Sequence, residues 1–248
     1  MSESESRVRA DPLPGQFHTT RWSMVQAAGS GDTPSAQDAL AVLCESYWYP
    51  LYTYLRKRGS SANEAADLTQ GFFARLLDKR DLAAADREKG RFRAFLLTAL
   101  KHYVSNEAER ARAEKRGGAR AILSLDVEAA EGRFAIEPAD ERTPEDAFSR
   151  SWALVTMERA MERVRDDYLR ADRLELFERL RQCMTDAQEA PYRELAEQLG
   201  MNESAFKVAV HRVRKRFREC LRREIAETLS DAGEVEAELQ DLFEALSS

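Results

Sequence analysis

Turn-forming residues are scarce in this chain. Of 248 residues only 11 are glycine and 7 are proline, too little punctuation for the many tight turns of an all-β protein. Cysteine and histidine are rarer still. Cys44, Cys183 and Cys220 show no paired spacing, and His18, His102 and His211 stand far apart, so neither a disulfide framework nor a metal-ligand cluster is written in the sequence. No segment approaches the roughly 18 uninterrupted apolar residues of a membrane span, and the polar opening "MSESESRVRADPLPGQ" lacks the apolar centre of a signal peptide. A reducing, cytoplasmic setting is the expectation.

What remains is rich in helix formers, 43% hydrophobic and 33% charged, and predicts an all-α chain. Its net charge of −6 argues against a surface uniformly suited to nucleic acid, but the charge is segregated. From Lys207 to Arg223 eight lysines and arginines face one acid, Glu219, and from Glu224 onward there are eight acids and no lysine or arginine.

Periodicity divides the chain into two helical domains. Residues 1–16 carry no apolar set to bury and read as a disordered leader. The front domain, 17–120, begins with "RWSMVQAAG" from about Thr20 and continues in a helix over 35–58 marked by Leu40, Leu43, Tyr47, Leu51, Tyr54 and Leu55. A kink or break is expected at Pro50. In "SSANEAADLTQGFFARLLDK" a serine or Asn63 caps, Glu64 sits in the first turn, and Ala65, Leu68, Phe72 and Leu76 form the stripe. After the loop "RDLAAADREKG", a long helix from Arg91 carries Phe92, Leu96, Ala99 and Tyr103 on one face and stops at Gly117 and Gly118. Residues 121–143 read as a flexible acidic linker, with eight acids and two arginines between Asp126 and Asp146. The back domain, 144–230, holds helices near 144–167, 171–185, 191–199 and 204–229. An acidic amphipathic extension, 231–248, aligns Val235, Leu239, Leu242, Phe243 and Leu246.

The stretch "APYRELAEQLGMNESAFKVAVHRVRKRFREC", 190–220, has the spacing of a helix-turn-helix. Pro191 suits a first helical position, Ala196 is small where two helices cross, Gly200 supplies the left-handed turn, Asn202 or Ser204 caps, and Phe206 plugs the interior. In the second helix Phe206, Val210, Val213, Phe217 and Leu221 step by four, three, four and four, while Lys207, His211, Arg214, Arg218 and Arg222 follow one place later. One face is apolar and the other cationic, as a helix in the DNA major groove requires. The residues best placed to face the groove are Ser204, Lys207, Val208, His211, Arg212 and Lys215. A charge run alone is commonly just a solvated face.

Together, "DLTQGFFARLLDK" (67–79), "GRFRAFLLTALKHYVSNEAERARAEKRGG" (90–118) and this ending resemble bacterial RNA polymerase sigma factors of the extracytoplasmic-function group. The resemblance covers roughly 20–120 and 145–228. It implies a region 2-like bundle and a region 4-like helix-turn-helix, with core RNA polymerase and promoter DNA as partners, an anti-sigma factor as a further candidate, and neither catalytic residues nor cofactor. Asp67, Gln70, Gly71 and Ala74 would then meet polymerase, although the family usually has an acid where Gly71 stands. Arg91, Lys101, His102, Tyr103, Asn106 and Arg110 would melt and hold the minus-ten element, with the loop 83–91 receiving a flipped base. Tyr103 also falls on the apolar stripe, so core packing is its competing role. The linker would thread the polymerase cleft. The acidic extension either folds back over the basic recognition helix or the front domain, damping DNA binding until a signal releases it, or is an ordinary terminal packing helix.

Two other functions compete. A stand-alone helix-turn-helix regulator explains the back half but leaves the D-x-x-Q helix and the aromatic-basic helix without a purpose. A helical metal-dependent nuclease or hydrolase could draw on Glu45, Glu64 and Asp67, but these have no helical arrangement with histidine.

Overall fold

The computed structural model describes residues 34–77, 91–113, 127–136, 142–185, 192–229 and 231–247. Among them the chain is all-helical: α1 (Pro34–Lys57), α2 (Ala62–Leu77), α3 (Phe92–Ala113), α4 (Val127–Ile136), α5 (Pro144–Arg170), α6 (Leu174–Thr185), α7 (Tyr192–Gln198), α8 (Glu203–Ala226) and α9 (Val235–Ser247). A short 3-10 turn precedes α9. No strand forms among the described residues beyond one isolated bridge, Arg91 to Leu229. No described helix is long and apolar enough to cross a membrane. The expected leader, the helix from Thr20, the loop 80–90, the Gly117–Gly118 stop, Lys115, Arg116 and Pro191 lie outside the described residues.

Local signals account for the helix starts. Thr143 and Asp146 make a reciprocal capping box ahead of α5, the Asp146 amide donating to the Thr143 hydroxyl at 3.1 Å, with Pro144 in the first turn. Ser61 and Glu64 do the same for α2, where the Ser61 amide donates to Glu64 at 2.9 Å. This second box assigns Glu64 to capping, and Ser61 holds its carboxyl below the usual carboxylate range.

The break expected at Pro50 does not occur, and α1 runs through it. Proline removes one i to i−4 bond and costs about 3 kcal/mol in an isolated helix. Here Tyr47, Trp48, Tyr49, Leu51, Tyr52, Tyr54 and Leu55 are all buried, and that much anchored surface on both sides of Pro50 fixes the helix path.

The two halves share one core. α5 is its axis, packed against α1 on the front side and against α6, α8 and α9 behind. The expected flexible linker differs as well, because residues 127–136 of it form α4. Ala130 is buried, the Glu131 carboxylate accepts Arg56 Nε at 2.8 Å and Nη2 at 3.1 Å as well as the Tyr52 hydroxyl, and Arg133 lies 4.3 Å over the Tyr49 ring. The segment has few large apolar side chains to bury, Val127, Phe134 and Ile136, and polar contacts help to dock it.

One apolar stripe shifts from the expected register, and another holds except at one residue, with Val235 and Leu246 packed against the core as expected. On α3 the buried set is Phe92, Leu96 and Leu100, leaving Ala99 and Tyr103 only partly covered. On α9 Leu239 and Leu242 are buried, whereas Phe243 is 53% exposed.

Candidate nucleic-acid interface

The turn between α7 and α8 is built as its spacing predicts. Gly200 adopts φ 64°, its amide donates to the Glu197 carbonyl at 3.1 Å and the Met201 amide to the Ala196 carbonyl at 2.9 Å. That pair of bonds is a Schellman ending, which ordinarily places a left-handed glycine just after the last helical turn. Ala196 is buried at the crossing, and Phe206 is buried against Tyr192 with ring centroids 5.8 Å apart. The Asn202 side chain caps α8, accepting the Ala205 amide at 2.7 Å.

This frame leaves the whole predicted reading face open. Ser204, Lys207, Val208, His211, Arg212 and Lys215 are all exposed, while Phe206, Val210, Val213 and Leu221 are buried behind them. Val208, 46% exposed, offers an apolar surface of the kind that meets a thymine methyl. Lys207 pairs with Glu203 at 2.6 Å and Lys215 with Glu219 at 4.0 Å, both on α8 itself. Such exposed pairs are weak, and a phosphate displaces the acid readily.

The second half of α8 departs from the expected cationic face. Arg214 donates to the Cys183 carbonyl in the last turn of α6 at 2.5 Å, satisfying an orphan helix-end acceptor. Arg216 binds Asp167 of α5 at 2.7 Å and Arg222 binds Glu236 of α9 at 2.9 Å. These three cations fasten α8 to its neighbours, while Arg218 and Arg223 stay exposed alongside the cations nearer its start.

The front residues divide differently. On α2 Asp67 is exposed, but Gln70, Gly71 and Ala74 are partly covered. A side chain on Gly71 would overlap the Tyr103 hydroxyl, which gives a steric reason for glycine at that position. Tyr103 itself is half-buried, its ring 5.9 Å from Phe72 with the Arg75 guanidinium 5.9 Å over it, and burial pushes its hydroxyl pKa up. It serves as the α2–α3 contact while keeping one edge outward. His102, Asn106 and Arg110 recur every four residues and are exposed, a polar stripe along α3, with Arg110 paired to Glu107 at 2.9 Å. Lys101 meets Glu145 of α5 at 2.7 Å, and this contact raises the lysine pKa and lowers that of the carboxyl.

Arg91 is not open. Three acids of the C-terminal extension surround it: Glu238 at 2.9 Å, Glu234 at 3.8 Å and Asp241 in direct contact. Arg93, which periodicity did not single out, takes two of these acids, Glu238 and Asp241, and lies 4.6 Å over the Trp152 ring. The signal that could have found it is the acidic extension, whose charge needs a cationic mate.

Among the described residues no group of three or more histidines, cysteines and acids could hold a metal ion. Cys44, Cys183 and Cys220 are free and buried, and burial pushes the Cys44 and Cys220 thiols up. Comparison of the chain with protein families, with curated proteins and with solved structures finds no match.

Proposed function

We propose that this protein is a cytoplasmic sigma factor that binds core RNA polymerase and directs promoter-specific initiation, without chemistry of its own. In this reading α8 enters the major groove at the minus-thirty-five element, and α3 holds the melted minus-ten strand through His102, Asn106, Arg110 and the outward edge of Tyr103. Asp67 and Gln70 meet polymerase. The observation that carries the reading is that all six groove-facing residues are exposed on a capped helix that follows a tight turn. It is supported by the order of the D-x-x-Q helix, the aromatic-basic helix and the helix-turn-helix in one chain. Because α1 and α5 are packed together, polymerase must part the two halves to span both elements. Run-off transcription with purified core enzyme over a genomic promoter library tests it, and initiation at no promoter rejects it.

One observation favours a second reading, a stand-alone helix-turn-helix regulator. The shared core leaves the reading face accessible with no rearrangement. A protein that binds duplex operator tightly alone and fails to co-purify with core polymerase is of that kind.

A further inference from the structure

The basic start of α3 and the acidic C-terminal helix form an anion site with its occupant in place. Arg93 grips Glu238 with both arms of its guanidinium, Nε donating at 2.5 Å and Nη2 at 2.9 Å, and Nη2 also donates to Asp241 at 2.5 Å. Arg91 reaches Glu238 at 2.9 Å, Glu234 at 3.8 Å and Asp241. Glu234, Glu238 and Asp241 recur at four and three, so they share one face. The first turn of α3 has no acid of its own, and the carboxylates that meet these arginines come from α9 and the 3-10 turn before it. Glu238 is 0% exposed. A guanidinium binds a phosphodiester through the same two-armed geometry that it uses for a carboxylate.

We propose that Arg91 and Arg93 are a binding site for the phosphodiester backbone of single-stranded DNA, and that α9 is a displaceable cover whose carboxylates occupy the phosphate positions until DNA competes for them. The inference rests on the reading of α3 as a nucleic-acid surface. Three features make the cover removable. At 13 residues α9 is near the lower limit for a helix stable without packing. Its buried apolar anchors are Leu239 and Leu242, with Phe243 left outside. From Glu224 onward the chain has no lysine or arginine, so the cover gains nothing by staying beside a polyanion. Arg91 precedes His102 by eleven residues, about three helical turns, so it stands on the side of α3 that carries the exposed His102, Asn106 and Arg110, whereas Arg93 lies over the Trp152 ring. Glu145 on Lys101 repeats the arrangement at a second point, an acid of the back half on a cation of the front.

The test uses the full chain and fluorescein-labelled oligothymidine, with no polymerase present, so it can fail independently of the transcription assay. Glu238→Gln with Asp241→Asn removes the competing charges at nearly constant shape. The double variant is expected to bind oligothymidine about tenfold tighter than the native chain at low salt, with log affinity falling more steeply by about 0.7 per added phosphate contact. Because the variant could lose its fold, hydrogen exchange is also measured on the native chain. Saturating oligothymidine is expected to speed exchange across residues 235–247. Unchanged protection of 235–247 at saturation, or no oligothymidine binding by either protein, overturns the proposal.

Discussion

Two cations of the α8 reading face, Lys207 and Lys215, and two at α3, Arg91 and Lys101, are treated in opposite ways. On the first turns of α8, Lys207 and Lys215 meet only weak partners from their own helix in Glu203 and Glu219, and the face they share with Ser204, Val208, His211 and Arg212 is exposed. On α3, Arg91 and Lys101 meet acids more than forty residues away in sequence, from α9 and α5. The first surface is open to solvent, whereas the cations of the second are held by acids from elsewhere in the chain. A net charge of −6 therefore does not by itself argue against the proposed DNA contact, because charge is distributed unevenly. Glu234, Glu238, Asp241 and Glu145 sit on cations at α3, while the start of α8 stays exposed.

The change expected to matter most attacks the open surface. Replacing Lys207 and Arg212 together with alanine is expected to weaken promoter-duplex binding roughly a hundredfold, or about 2.8 kcal/mol. It also reduces the slope of log affinity against log salt by about two, since each phosphate contact contributes about 0.9. Binding to core polymerase and to oligothymidine stays as in the native chain. Fluorescence anisotropy over a salt series measures all three, and an equal loss on oligothymidine would erase the distinction between the surfaces.

Next in size is the turn that aims the open surface. Gly200 stands at φ 64°, where any side chain is strained by about 1–2 kcal/mol. Gly200→Ala is therefore expected to lower stability by about that amount and to weaken duplex binding, with oligothymidine binding intact. Thermal melting followed by circular dichroism reads the first effect. No loss of stability would mean that this turn does not need the left-handed conformation.

The helix-turn-helix was legible because its determinants are local. Gly200, Asn202, Ala196 and Phe206 act within a few residues of one another, and each does in the structure what its spacing implies. The same holds for Pro144 and for the serine cap at 61. Legibility fails where a partner is remote. Nothing in "VEAAEGRFAI" announces that Glu131 meets Arg56 and Tyr52, so a docked helix read as a flexible linker. Composition weighs apolar content, and this helix is held by charge and by an arginine on a ring. Pro50 read as a break because the local cost was visible while the buried aromatics that outweigh it were not countable from periodicity. On α3 the apolar side chains at 92, 96 and 100 fit a helical face as well as 92, 96, 99 and 103 do. Only the neighbouring helices decide between the two registers. At Gly71 the sequence shows only the missing acid, because the Tyr103 hydroxyl that a side chain there would meet comes from another helix.

The remote partners also set the acid sensitivity of the closed half. Arg56, then Tyr52, holds the Glu131 carboxyl below the usual carboxylate range, and Lys101 does the same for Glu145. A carboxyl whose folded pKa is depressed contributes stability that is complete above its unfolded pKa and is lost as pH falls through the folded value. The contacts of α4 with α1 and of α5 with α3 therefore weaken on the acid side. Glu131→Gln is expected to remove roughly 1 kcal/mol at neutral pH, a drop of about 2–4 °C in melting temperature. The gap between variant and native chain narrows as pH falls through the carboxylate range, and a gap of constant size would assign the loss to packing.

Glu145→Gln is the mildest change. Its ion pair with Lys101 is nearly half exposed on both sides, and such pairs contribute about 0.2–1 kcal/mol. The melting temperature is expected to stay within about 2 °C of the native value. Oligothymidine affinity is expected to rise by about twofold, since one freed lysine adds one phosphate contact at the edge of the surface. The value of this variant lies in its direction. Removing an acid from the back half tightens single-strand binding if that half restrains α3, and leaves duplex binding through α8 untouched. A gain of equal size on duplex and single strand would instead reflect the loss of one negative charge from the whole molecule, and the separate control of the two surfaces would fall with it.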